Sequence, residues 1–364
     1  MSSSLDIQRN VQLAPHTTIN LGGPAAQVVR CVNPEQVREA LSYAQKVPVH
    51  ILGGGSNTVF ADEGFAGLVI QIALTGITFT DEGETVLAKV AAGEVWDDFV
   101  VQCIERGLAG LECLSGIPGL VGATPMQNVG AYGQEVAESI EVVEALERSS
   151  GEKKTFLKDT CGFGYRTSRF KQEDSNRYVV TAVSYRLRKD GVPTVRYPQV
   201  QTQLGTVSLG AGTPALQRVR EVVLQLRRSK SMLVDASDPH SRSCGSFFTN
   251  PVIPKAHLAT LQKKYPDIPF FESEESAHSS AQATWLGTHV KIPAAWTIEH
   301  AGFSKGDRRD GIGISPNHPL ALVNYGGTTQ QLLKFAAEIQ AEVETKLGIE
   351  LQQEPVTVPE NGLA

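Results

Sequence analysis

Two glycine-studded stretches and three isolated polar side chains are the parts of this 364-residue chain whose types and spacing could do chemistry. The longer stretch places glycine at 110, 116, 119, 122, 130 and 133, with Pro118 and Pro125 stiffening the path. Side chains missing at such short intervals shape a backbone to lie against something, either another layer of the fold or a cofactor. The shorter stretch, Gly53-Gly-Gly-Ser-Asn57, follows a short apolar run ending at Leu52. It lacks both a glycine at 58 and a lysine, so it is neither the dinucleotide fingerprint nor the lysine-ending phosphate loop. What it offers is bare strand-to-turn backbone whose N–H groups can form an anion nest, with Ser56 and Asn57 adding polar side chains; a plain structural turn fits the same residues. Arg166 stands in a turn with two glycines and three aromatics (161–170), Ser246 between Gly245 and a phenylalanine pair, and Glu354 in an apolar C-terminal strand. Taken singly, each also has an ordinary structural role open to it: an ion pair, a turn cap, an exposed strand carboxylate.

Other chemistries find less support. Gly-x-Ser-x-Gly is absent and no histidine pairs visibly with a serine, which argues against a hydrolase triad. The histidines lack metal-ligand spacing, and the cysteines at 31, 103, 113, 161 and 244 are scattered, so neither a metal nor a disulfide framework is expected. Reduced thiols, no secretory signal and no membrane-spanning run point to a cytoplasmic protein without a membrane partner. A formal net charge of −6 argues against a nucleic-acid binder, and the 41% apolar and 20% charged composition is that of a globular chain.

The elements that must position these residues follow from periodicity. A strand at 27–32 leads to a helix capped by Asn33 with Pro34 at its first position, then a buried strand at 47–52 enters the short glycine loop. A strand pair is expected around 67–72 and 85–91, a helix from Glu94 to Arg106 stopped by Gly107, and a hairpin of 139–147 with 153–157. Another strand spans 178–187, Asp190-Gly191 marks a turn, and Tyr197-Pro198 begins a short loop. A helix opened by Thr213-Pro214 ends in Arg227-Arg-Ser-Lys230, where Lys230 either complements the helix terminus or reaches a ligand phosphate. Residues 235–243 read as a mobile polar loop, 328–347 as a long helix stopped by Gly348, and 349–358 as a final strand containing Glu354.

Taken together, Thr18–Gly23, Gly53–Asn57, Gly116-Ile-Pro-Gly119 with Gln127–Gly133, Phe163-Gly-Tyr-Arg166, Gly245–Pro251 and Glu354-Pro355 resemble, in order, the signatures of the UDP-N-acetylenolpyruvoylglucosamine reductase (MurB) family. The resemblance implies an α+β chain. It has a two-lobed FAD-binding fold of the vanillyl-alcohol-oxidase/PCMH type, with residues 1–72 and 73–212 as lobes, 213–348 as an α+β substrate-binding domain, and 349–364 returning to the active site. It further implies FAD held by Gly53, Gly54, Gly55, Ser56 and Asn57 at the diphosphate and by Ser115, Gly116, Pro118, Gly119, Gly122, Ala123 and Thr124 along the flavin. NADPH is the implied reductant and UDP-N-acetylglucosamine enolpyruvate the implied substrate, contacted by Tyr132, Tyr197, Lys230 and Asn250 in a monomer. By the same resemblance Arg166, Ser246 and Glu354 are catalytic: Arg166 steadies an enediolate-like intermediate, Ser246 protonates the α-carbon, and Glu354 assists, held protonated or sharing a proton so as not to repel it. Ala123 stands where some relatives carry serine, and Asn20-Leu21 departs from the common pattern. Two other readings are a flavin oxidase of the same superfamily acting on hydroxy acids, which Gly245–Pro251 disfavours, and a redox-dead nucleotide-sugar binder.

Overall fold

The computed structural model describes residues 5–189, 191–205, 209–272 and 287–362; Asp190 of the expected turn lies outside them. The chain groups into two compact units, residues 1–9, 27–54 and 67–233, and residues 10–26, 55–66 and 234–364.

In the first unit, Asn33 caps the helix Pro34–Tyr43 by accepting the Gln36 N–H, with proline at the first turn. Val49–Leu52 lies parallel to Phe65–Ile72, pairing Val49 with Leu68 and Leu52 with Gln71. The expected pairing of 67–72 with 85–91 does not occur. Phe65–Ile72 is buried almost residue after residue, as a strand covered on both faces must be, whereas Thr85–Ala91 alternates buried and accessible positions and joins an antiparallel sheet. That sheet runs in the order Lys153–Leu157, Ile140–Glu147, Tyr178–Lys189, Thr85–Ala91, Ile77–Asp81. Its core includes Trp96, Phe99, Val100, Cys103 and Ile104 of the helix Trp96–Glu105, which ends before Gly107 at φ +69°. The residues after Tyr197 correct the expectation of a loop: Pro198–Leu204 is a helix started by its proline, with Val200 and Leu204 buried against Val219, Val222 and Val223 of the helix Thr213–Ser229.

In the second unit, a core of Phe247, Phe248, Ile253, Val290, Ile312, Phe335 and Ile339 is covered by the helices Lys255–Gln262, Ala294–His300 and Thr329–Leu347. The last begins with a Thr328–Gln331 capping box and ends with Gly348 in the left-handed region. Asp62 accepts the Thr329 and Gln330 N–H groups at 2.8 Å each, placing a carboxylate on the positive end of this helix. The C-terminal strand is shorter than its hydrophobicity suggests. Only Val356–Val358 forms a strand, parallel to Thr58–Phe60, and Glu354 precedes it. Residues 235–243 form successive hydrogen-bonded turns, with the Ser241 hydroxyl on the carbonyls of Asp235 and Asp238 at 2.7 and 2.9 Å. Among the described residues no helix is long and apolar enough to cross a membrane.

Candidate active site

The two glycine stretches meet in the first unit. A Cβ built on Gly54 would come within 2.8 Å of the Gly119 Cα, while one on Gly53 would find Leu120 and Ala123 at ordinary contact distance, 3.9 and 4.0 Å. The longer stretch is laced to the start of the helix Trp96–Glu105: Trp96 N–H donates to Gly119 O, Val121 N–H to Glu94 O and Gly122 N–H to Ala92 O, all at 2.9–3.0 Å. Gly122 has no room for a side chain, since its Cβ would sit 2.5 Å from that of Ala92. Buried Ser115 and Thr124 hold the stretch from within. Ser115 donates to Glu112 O at 2.7 Å, and Thr124 donates to Val121 O while sharing a 2.7 Å bond with the Tyr185 hydroxyl. In the second unit Gly55, at φ +63°, approaches so closely that its Cβ would lie 1.9 Å from His16 O. Gly54 and Gly55 pack against backbone and Gly53 and Gly122 against small or branched side chains, and glycine backbone of this kind on both loops suits a diphosphate, so the residues present fit FAD.

Arg166 sits at φ +53° in a tight turn closed by the Gly164–Thr167 pair. Its guanidinium donates to Gly130 O at 2.8 Å, and neighbouring bonds, Asn128 Nδ2 to Gly164 O at 3.1 Å and Ser168 to Met126 O at 2.7 Å, fasten this turn to the glycine stretch. Tyr132, Tyr197 and Lys230 are also brought together. The two tyrosines meet edge to face at 5.5 Å, and Lys230 Nζ lies 5.7 Å from the Tyr132 ring centre while donating to Gln199 at 2.9 Å. Burial, then the nearby Arg227, lowers Lys230 below the ordinary lysine range. Burial raises the Tyr132 phenol, with Arg227 opposing.

Sequence reasoning missed the residues that clamp Gly116. Its N–H donates to Asp97 at 2.6 Å and its carbonyl accepts from buried Arg227 Nε at 3.0 Å. Asp97 in turn holds Arg220 through two bonds of 2.6 and 2.7 Å. Burial pushes the Asp97 carboxyl up, but Arg220, the Gly116 N–H and Arg227 outweigh it and hold it below the usual carboxylate value. Arg220, Arg227 and Lys230 recur at seven- and three-residue spacing from the middle of the helix Thr213–Ser229 to its end, a signal the sequence did carry. Glu112, buried and accepting the Gly110 and Thr194 N–H groups at 2.8 Å, left no such trace.

In the second unit the segments that carry Ser246 and Glu354 are joined through the backbone of Phe247 and Phe248. Glu354 N–H donates to Phe247 O at 2.9 Å, and Phe248 bridges Gln353. The Asn57 side chain donates to Glu354 O at 3.2 Å, and Asn57 O accepts the Val356 N–H at 2.9 Å, so this loop residue brackets the glutamate. Asn250 caps the helix Ala294–His300 by accepting the Ala294 N–H at 2.9 Å. Burial pushes the Cys244 thiol up to about 12, keeping it uncharged beside Gly245 and Ser246.

The chain matches two family models, an FAD binding domain over residues 25–154 and the C-terminal domain of UDP-N-acetylenolpyruvoylglucosamine reductase over residues 238–358. It is 43% identical to the UDP-N-acetylenolpyruvoylglucosamine reductase of Thermobifida fusca over 355 residues, covering 96% of this chain and 97% of the relative. The chain belongs to the UDP-N-acetylenolpyruvoylglucosamine reductase family. A Streptomyces coelicolor reductase is 43% identical over 95% of this chain and 88% of its own length. The crystal structure of the reductase from Thermus caldophilus shares the fold, with a TM-score of 0.64 and 24% identity over 97% of this chain and 99% of that one. As a member of this reductase family the chain is an FAD-dependent oxidoreductase, with the mixed α and β fold the motifs implied.

Proposed function

We propose that this protein reduces the enolpyruvyl group of UDP-N-acetylglucosamine enolpyruvate to the lactyl ether. The product is UDP-N-acetylmuramate for peptidoglycan synthesis, NADPH is the electron source, and the enzyme works in the cytoplasm as a monomer. The observation that carries the reading is the 43% identity to a reductase of that name over 96% of this chain. FAD, when bound, supplies the hydride that NADPH brings.

The chain's own residues would do the rest. Addition of hydride to the terminal methylene carbon drives the alkene electron pair onto the α-carbon and its carboxylate. Arg166, whose planar guanidinium suits bidentate carboxylate binding, stabilises that charge. The Ser246 hydroxyl, a weak acid, gives its proton to the α-carbon, a far stronger base than the alkoxide left behind, and Glu354 supports the same charge. Tyr132, Tyr197, Lys230 and Asn250 hold the nucleotide-sugar diphosphate and the NADPH phosphates. Gly53–Asn57 and Ser115–Thr124 hold the cofactor.

The purified protein should be yellow, lose its colour with anaerobic NADPH, and regain it on addition of the enolpyruvyl substrate. Bleaching without recovery on that substrate would point to another flavin oxidoreductase, and a colourless protein to a redox-dead relative.

A further inference from the structure

We propose that Thr18 is a positioning residue for Ser246, an inference that rests on the reading of Ser246 as the proton donor. Thr18 makes two bonds in the second unit. Its N–H donates to Gly55 O at 3.1 Å, and its hydroxyl donates to Ser243 O at 2.7 Å, 225 residues away in sequence. It therefore joins the loop expected to hold the cofactor diphosphate to the loop that carries Ser246.

The Ser246 loop is anchored firmly on its C-terminal side. Phe247 is fully buried, its N–H donates to Leu320 O at 2.7 Å, and its carbonyl accepts from Glu354 at 2.9 Å. On the other side Gly245 stands at φ +74° with open space where a Cβ would be, so neighbouring atoms do little to restrain it. Ser243, two residues ahead, accepts the Gly245 N–H on its own hydroxyl at 3.3 Å. Fixing Ser243 from outside thus limits the swing of the Gly245 hinge, and with it the direction of the Ser246 hydroxyl. A displacement near 1 Å of a reacting group can cost about 100-fold in rate, so a single remote hydroxyl can matter to this step.

Thr18→Val removes the hydroxyl, keeps the shape and leaves the backbone bond to Gly55. The expected result is unchanged FAD content, unchanged thermal stabilisation by added FAD, and flavin reduction by NADPH within about threefold of wild type. Reoxidation by the enolpyruvyl substrate should slow at least about tenfold. Amide exchange at Gly245 should quicken, and Thr18→Ser should restore both readouts. Wild-type reoxidation in Thr18→Val overturns the proposal, as does equal slowing of both half-reactions with loss of FAD, the mark of a merely structural role. Ser246→Ala is run alongside. If it is slow while Thr18→Val is normal, the positioning role alone fails; if Ser246→Ala reoxidises at the wild-type rate, the proton-donor reading fails and takes this proposal with it.

Discussion

Arg166 occupies a left-handed backbone conformation, φ +53°, that costs a non-glycine residue of order 1 kcal/mol, and its side chain is steered by the Gly130 carbonyl. A residue kept there has its guanidinium aimed at a cost, so truncation should be felt in chemistry more than in folding. Arg166→Ala and Ser246→Ala should each lower substrate reduction by about 100- to 1000-fold, the usual cost of removing one stabilising or proton-donating group, with NADPH-driven flavin reduction changed far less in stopped-flow traces. Glu354→Gln should alter the pH profile of the substrate half-reaction; superimposable profiles would remove Glu354 from proton handling. Lys230 carries a different pH signature. Because burial and Arg227 hold its ammonium below the ordinary lysine range, that charge is lost at lower pH than in a free lysine. Substrate KM should therefore rise early on the alkaline side in wild type, and Lys230→Arg should push that rise to higher pH. The residues proposed for the site could be named before any geometry was known, because glycines, arginines and serines in fixed order resemble a family. Their supports could not. Asp97 and Glu112 look like any helix-start acid or turn acid until folding brings Gly116 and Gly110 to them, and Thr18, though it opens one of the signatures, shows its hold on Ser243 only in the fold.

At the scale of elements, the contact of Gly54 with Gly119 is the sharpest constraint. Gly54→Ala puts a methyl 2.8 Å from the Gly119 Cα, a backbone atom that cannot swing aside as the end of a side chain could. The variant should fold yet purify with much less FAD, read as the ratio of flavin to protein absorbance. The strand Val49–Leu52 that delivers this loop carries His50, only partly reached by solvent; burial, then Arg148, lowers its imidazole from 6.5 to about 4. The unfolded chain therefore binds the proton more readily between those values. Stability from this group is complete above pH 6.5 and is lost as pH falls toward 4, by an amount of about 1–3 kcal/mol. His50→Gln should melt less differently at pH 5 and pH 7 than wild type does; equal pH dependence would count against this account. The helices Pro34–Tyr43, Trp96–Glu105, Thr213–Ser229 and Thr329–Leu347 were legible from their periodicity and end residues, and so was the 139–157 hairpin. What failed was pairing and extent. Strand partners depend on long-range burial, and 349–355 was misread because local apolarity does not say whether a neighbour supplies ladder bonds; Pro198–Leu204 was misread as loop because the burial that settles its helix comes from Val219, Val222 and Val223.

For the molecule as a whole, a net charge of −6 coexists with Arg166, Arg220, Arg227 and Lys230 in the first unit. Asp97 neutralises Arg220 and Arg227 is buried, which leaves Lys230, on the reading that it binds the substrate, as the charge that draws an anion to a chain of net negative charge. The apparent kcat/KM should fall as ionic strength rises from 0.01 to about 0.15 M, where the screening length shrinks from about 30 to about 8 Å. Bound FAD should raise the melting temperature, since ligand at about 100 times its Kd adds about 2.7 kcal/mol. The parallel pairing of Thr58–Phe60 with Val356–Val358, and the bracketing of Glu354 by Asn57, have a consequence for biosynthesis. A nascent chain still lacking residues 354–358 has made its glycine loop some three hundred residues earlier but lacks the strand that pairs with Thr58–Phe60 and the carbonyl that Asn57 holds. The holoenzyme should therefore mature only after the ribosome has finished that last strand, and loading of flavin onto arrested chains should fail at every stall point before it.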